Sequence, residues 1–83
     1  MKVEIRYFAS LRETLGLSGE SVDTLAVDVA GLRRELIAKG EAYAEVLAPG
    51  RAVRVAVNQV MAHEGTALLE ACEVGFFPPV TGG

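Results

Sequence analysis

An α+β fold, with a mixed sheet packed on one main helix, is what this sequence predicts, and three observations lead there. Residues 2–8 alternate polar and apolar side chains with a period of two, the mark of a strand with one buried face. Residues 28–40 carry apolar groups at helical spacing behind an aspartate that can cap a helix. The remaining alternating segments come after that helix, so the order is strand, strand, helix, strands, and a helix on one face of a sheet buries all of their apolar faces at once.

In the first strand Val3, Ile5 and Tyr7 are the core face, and Lys2, Glu4, Arg6 and Phe8 are the polar face. Ser10 and Glu13 fit a capping box, with Glu13 reaching back to the Ser10 amide, so a short helix follows and stops at Gly16. Gly19 supplies a turn, and Glu20 to Val27 reads as a second strand antiparallel to the first. Asp28 caps the main helix, whose stripe is Val29, Leu32, Leu36 and Ile37, with Arg33, Arg34 and Glu35 facing water. Glu35 and Lys39 sit one turn apart as a supporting pair, and Gly40 suits the position just past the helix end. Gly31 weakens this helix by roughly 1 kcal/mol relative to alanine.

An irregular helical piece is expected over Glu41 to Leu47, then a turn at Pro49-Gly50. Val53, Val55 and Val57 alternate with Arg54, Ala56 and Asn58 as the third strand. Asn58-Gln59 makes a tight turn into a short strand at Val60 to Ala62. Residues 65–71 read as loop with one helical turn, and Glu73 to Phe77 is the last strand, ended by Pro78-Pro79. The expected division is a domain over 1–77 and an extended tail over 78–83.

Composition narrows the function classes. The 83 residues suit one domain with a single core. The net charge is −3 and the basic residues are scattered, which argues against nucleic-acid binding. No apolar run is long enough to span a membrane, and Met1 to Arg6 alternates charge in a way that does not suit a secretory signal. With a single cysteine, a reduced, cytoplasmic protein is the expectation.

The tail is where chemistry concentrates: Phe76-Phe77-Pro78-Pro79-Val80-Thr81-Gly82-Gly83. Two prolines favour an extended path and lower the entropy lost on entering a partner. Six extended residues reach about 20 Å. Gly82 and Gly83 have no side chains and fit a narrow channel. A terminal carboxylate, with a pKa of roughly 3.5, is an anion at neutral pH and a poor electrophile until activated, most simply as an acyl-adenylate. A sulfur nucleophile can then displace AMP and leave a thiocarboxylate. The chain has neither a Gly-x-x-x-x-Gly-Lys loop nor a Gly-x-Gly-x-x-Gly turn to hold ATP, so the activating enzyme is another protein and this chain binds no cofactor itself.

Strand parity puts Phe8 and Phe77 together on the polar face while Phe76 joins the core. Exposed aromatics beside a reactive tail read as a docking patch, with Arg12 at its rim.

The residues Phe8-Ala9, Leu11-Arg12-Glu13, Ala56-Val57-Asn58-Gln59, Glu73-Val74 and the whole run from Phe76 to Gly83 resemble the small-subunit family of molybdopterin synthases, ubiquitin-like sulfur carriers. The resemblance covers nearly the whole chain, and its ending is the most specific part. It implies a β-grasp fold. It implies that Gly83, preceded by Gly82, is adenylated by an E1-like adenylyltransferase at the expense of ATP and converted to a thiocarboxylate with sulfur from a donor protein. It further implies that the tail residues Pro78, Pro79, Val80 and Thr81 enter the large synthase subunit. There the sulfur passes to cyclic pyranopterin monophosphate, in a heterotetramer of two small and two large subunits. Phe8, Arg12 and Phe77 match the family's partner interfaces. One departure is visible: many relatives carry Asp-Gly-Asp before the last Glu-Val, and here the residues are Glu70-Ala71-Cys72.

Other chemistry is poorly supported. Cys72 lacks a neighbouring histidine or second cysteine and reads as a small core or loop residue. His63 lacks metal partners and reads as a surface turn residue. No acid/base pair or catalytic constellation lies within the domain, and one cysteine excludes an iron–sulfur ferredoxin. The rival readings are a carrier for thiamine thiazole synthesis or tRNA thiolation, and a ubiquitin-like protein modifier.

Overall fold

The computed structural model describes residues 1–48 and 50–78. In chain order the elements are β1 (Lys2–Tyr7), α1 (Ala9–Leu15), β2 (Gly19–Asp23), α2 (Val29–Ile37), α3 (Glu41–Leu47), β3 (Arg54–Val57), β4 (Val60–Ala62) and β5 (Glu73–Phe77). The five strands form one sheet in the order β2-β1-β5-β3-β4. β1 and β5 run parallel at its centre, and every other neighbouring pair is antiparallel. With α2 laid across one face, this is the expected β-grasp.

The alternation in β1 does what period two requires. Val3, Ile5 and Tyr7 are buried, and Lys2, Glu4 and Arg6 are exposed. They meet Val74 and Phe76 of β5, Val55 of β3, and Val29, Leu32 and Leu36 of α2 in one core. Asp28 caps α2 as its position implies, its Oδ1 accepting from the Gly31 amide at 2.9 Å. Cys72 is part of this core at 2% exposure, as its isolation in the sequence suggested.

Several local expectations give way to tertiary structure. Phe8, not Ser10, precedes α1, and no side chain caps the helix. The chain enters α1 through a left-handed Ala9 (φ 52°), which puts Ser10 inside the helix where a capping box cannot form. Gly16 does end α1, in the left-handed region that glycine favours. Gly19 is not a turn residue but opens β2, where a Cβ would lie 2.6 Å from the Ile5 carbonyl oxygen. β2 stops at Asp23 rather than Val27 because Thr24 is buried and its hydroxyl donates to Glu35. That leaves Leu25 and Val27 outside the sheet and exposed.

Glu35 is therefore committed to the Thr24–Leu25 corner and does not pair with Lys39. Gly40 lies in extended backbone ahead of α3 rather than in a left-handed cap of α2. α3 is a regular α-helix, packed against α1 and α2. Residues 65–71 contain no helical turn; Ala67 instead bridges to Asp28. Of the turn expected at Pro49-Gly50, Pro49 lies outside the described residues and Gly50 has φ 94°.

Arg33 does not face water. Its side chain is only 13% exposed, and its guanidinium donates to the Leu47 and Ala48 carbonyls at the end of α3 and to Glu64 at 2.6 Å. One cation thus satisfies helix-end carbonyls that have no partner within the helix and ties α2 to α3 and the β4–β5 loop.

A second polar junction sits at Glu20 of β2. It accepts from the hydroxyls of Tyr7 and Tyr43, each at 2.8 Å, and from Lys39 Nζ at 2.6 Å. Partial burial pushes the carboxyl up, but the three donors outweigh it and hold Glu20 below its usual value. Burial and the hydrogen bond to Glu20 raise the Tyr7 hydroxyl, and the separate bond that Lys39 Nζ donates to Glu20 raises Lys39.

Two predictions follow from this packing. Glu20→Gln should cost about 1–2 kcal/mol at neutral pH by denaturant unfolding, the range of a bond or two to a charged acceptor. Because the folded carboxyl titrates below the ordinary 4.5, the gap between parent and variant should close as pH falls below that value. Ala71 keeps a left-handed backbone (φ 63°) in the turn before β5, and Gln59 does the same (φ 67°) in the β3–β4 hairpin. Ala71→Gly and Gln59→Gly should each raise the unfolding free energy by about 0.5–1 kcal/mol.

Candidate functional site

The parallel pairing of β1 and β5 decides where the tail begins. Tyr7 lies opposite Phe76, so both strands end at the same edge of the sheet. The Phe8 amide donates to the Phe76 carbonyl at 3.1 Å, which pins Phe8 beside the last residues of β5. Phe76 is buried at 1% exposure, while Phe77 is half-buried on the opposite face. Phe8 and Phe77 meet edge to face, with ring centroids 6.3 Å apart and planes at 80°. Such a contact holds two rings in one orientation without removing them from solvent. Phe8 remains 44% exposed.

Gly75 makes this arrangement possible. It occupies the outer face between Phe8 and β3, and a Cβ there would lie 3.2 Å from Phe8 Cε2. The ring covers the bare backbone of β5, which is why Gly75 is buried on a solvent-facing side of the sheet. Cross-strand register extends the surface: Gly75 lies opposite Ala56, and Ala56 lies opposite Met61, which is 56% exposed. Small residues in the middle and Phe8, Phe77 and Met61 around them form a shallow apolar face.

The expected docking residues divide accordingly. Phe8 and Phe77 are brought together. Arg12 is exposed on α1, one turn beyond Phe8, and among the described residues it makes no ion pair. Pro78 is half-buried where β5 gives way to the tail, beside a groove lined by Ser10, Thr14, Val46 and Val53. Pro79, Val80, Thr81, Gly82 and Gly83 lie outside the described residues. Parity within β3 and β5 gives Ala56 and Gly75 the same outer face as Arg54 and Phe77; which of these residues become neighbours, and that Met61 joins them, depends on the β3–β4 and β3–β5 registers, which no local signal carries.

The other candidates remain bland. His63 is exposed, with Nδ1 accepting from the Gly65 amide at 3.1 Å. Among the described residues no three histidine, cysteine or acidic side chains gather as metal ligands, and no helix is long and apolar enough to cross a membrane.

Residues 5–83 match the ThiS family. The chain belongs to that family. It is 35% identical to the molybdopterin synthase sulfur carrier subunit of Escherichia coli strain K12, over 98% of this chain and 99% of that protein. Among solved structures it is similar to small archaeal modifier protein 1 of Haloferax volcanii, with a TM-score of 0.80, 26% identity and 95% and 98% of the two chains covered. It is also similar to a chain in the complex of subunits 1 and 2 of the molybdopterin-converting factor from Helicobacter pylori, with a TM-score of 0.70, 28% identity and all of both chains covered.

The fit of Phe8 over Gly75 is directly testable. Gly75→Ala should leave the fold intact, because the atom it meets belongs to a half-exposed side chain that can move by a few tenths of an ångström. The expected result is a stability change under about 1 kcal/mol together with displaced Phe8 ring resonances in the NMR spectrum.

Proposed function

We propose that this ThiS-family chain is the sulfur-carrying small subunit of a molybdopterin synthase. One observation carries the reading: the segment ending in Gly82-Gly83 leaves β5 directly beside the Phe8–Phe77 pair. A docking face and a slender acyl arm are thereby coupled through one rigid strand. Similarity to the Escherichia coli sulfur carrier subunit and to the Helicobacter pylori complex supports the choice of pathway.

In this mechanism the domain docks through Phe8 and Phe77, with Arg12 at the rim, and threads Pro78, Pro79, Val80 and Thr81 into its partner. On an E1-like adenylyltransferase the Gly83 carboxylate attacks the α-phosphate of ATP and releases pyrophosphate. A hydrosulfide-level sulfur from the donor then attacks the acyl carbon and AMP leaves, giving the thiocarboxylate. The partner enzyme binds the ATP, and this chain contributes the acyl group and its delivery. On the large synthase subunit the loaded terminus gives up its sulfur to cyclic pyranopterin monophosphate. Two such transfers, in a heterotetramer of two small and two large subunits, build the dithiolene. The glycines admit the terminus to both active sites because they present no side chain, and the prolines limit the entropy lost on entry. A cytoplasmic location fits this role.

A second reading, a ubiquitin-like protein modifier, is favoured by the similarity to the Haloferax modifier protein. It uses the same activated Gly83 but ends in an amide with a lysine of another protein. A sulfur carrier for thiamine or tRNA thiolation differs only in the acceptor.

The test is intact mass after incubation with ATP, the adenylyltransferase and a sulfur donor. The proposal expects a gain of about 16 Da, oxygen replaced by sulfur, which is lost when Gly82 and Gly83 are deleted. No gain, or a gain that survives the deletion, overturns it. Lysine conjugates in place of a sulfur-dependent gain point to the modifier.

A further inference from the structure

The outer face of the sheet carries a charge pattern that the docking role does not by itself require. β1, β5 and β3 lie side by side, and their registers put Arg54 directly opposite Phe77 and Arg6 directly beside Gly75. Each side of the last outward positions of β5 therefore carries a guanidinium. Gly75 and Ala56 add no bulk between them, so the two arginines and the aromatic pair share one continuous surface.

Among the described residues neither cation is tightly paired. Arg54 is exposed and, among the described residues, makes no ion pair and no side-chain hydrogen bond. Arg6 has one carboxylate neighbour, Glu73 at 3.9 Å, and the two side chains are 58% and 39% exposed. A pair at that distance and exposure is weak and readily exchanged. Glu4 lies beside Glu73 and further from Phe77, and accepts from the Ser21 hydroxyl at 2.6 Å, while Asp23, the other acid of these strands on this face, lies opposite Lys2 at the far end of β1. The aromatic end of the face is thus locally basic in a chain whose net charge is −3.

We propose that Arg6 and Arg54 make the Phe8–Phe77 face selective for a protein partner that frames an apolar depression with carboxylates. The inference rests on the docking role given above to this face and deepens it. Arginine suits such a partner because its planar fork meets a carboxylate with two hydrogen bonds, and its stem adds apolar contact beside the rings. The partner is a protein rather than a nucleic acid, because Glu4 and Glu73 share the face and would oppose a phosphate backbone. Charges at the rim of an apolar patch act on encounter and partner choice, while the rings govern how long the complex lasts.

The experiment has two arms. The 15N-labelled chain is titrated with a short peptide of Leu and Phe flanked by Asp and Glu, and with its Lys-flanked counterpart. The acidic peptide should shift the amides of Arg6, Arg54, Gly75 and Phe77, and the Arg6→Glu/Arg54→Glu variant should bind it at least several-fold more weakly. Arg54→Gln should show a smaller loss in the same direction, which guards against misfolding of the double variant. The second arm measures association with a purified molybdopterin synthase large subunit. The double reversal should slow association about tenfold at low salt and less than about twofold near 1 M salt, with dissociation unchanged, whereas Phe8→Ala should speed dissociation. Equal binding of the basic peptide, shifts on another face, no shifts, or association indifferent to the reversal overturns the proposal. Loss of the sulfur-dependent mass gain with the acidic peptide still mapping here would sink the sulfur-carrier reading and leave this one standing.

Discussion

The parallel ladder between β1 and β5 is the constraint on which the rest of the molecule depends. The two strands are far apart in sequence, yet Ile5 meets Val74 and Tyr7 meets Phe76 at the centre of the sheet. Their inward side chains supply much of the core under α2, and their outward side chains, with Phe8, supply the exposed aromatic face. Because the strands run the same way, β1 ends beside the point where β5 hands the chain to its tail. An antiparallel pairing would carry Phe8 to the opposite end of the sheet from Phe77. Core stability and tail presentation therefore share one set of hydrogen bonds, and a register slip would lose both together.

Two polar junctions hold the layers around that ladder, and each solves a problem that apolar packing leaves open. Glu20 gives the Tyr7 hydroxyl an acceptor at the edge of the core, where a buried phenol without one would be costly. It also draws in Tyr43 of α3 and Lys39 beyond α2, with the ammonium 5.1 Å from the Tyr43 ring centroid. Arg33 plays the corresponding part on the other side of α2, closing the end of α3. The helical layer is thus fixed to the sheet by charge-assisted bonds at both ends. That rigidity matters because Phe8 and Phe77 are positioned by the sheet.

The outer face beside Phe77 is built largely by subtraction. Gly75 and Ala56 keep the middle of the outer surface low, Phe8 lies over the bare backbone, and Met61 closes the far side.

What the sequence alone determined is what depends on local pattern. Period two placed Val3, Ile5 and Tyr7 inside and Phe8 outside; the Asp28 cap and the Leu32–Leu36 stripe located α2. Those signals survive because alternation and capping act within a few residues. Tertiary structure decided the matters that require two distant segments to meet. A left-handed Ala9 displaced the capping box at Ser10, the Thr24–Glu35 bond cut β2 short, and Arg33 was drawn from solvent to the end of α3. The pairing of β3 with β5 placed Arg54 and Met61 on the Phe8–Phe77 face, because register across a sheet is set by which strands become neighbours and not by anything either strand carries in itself.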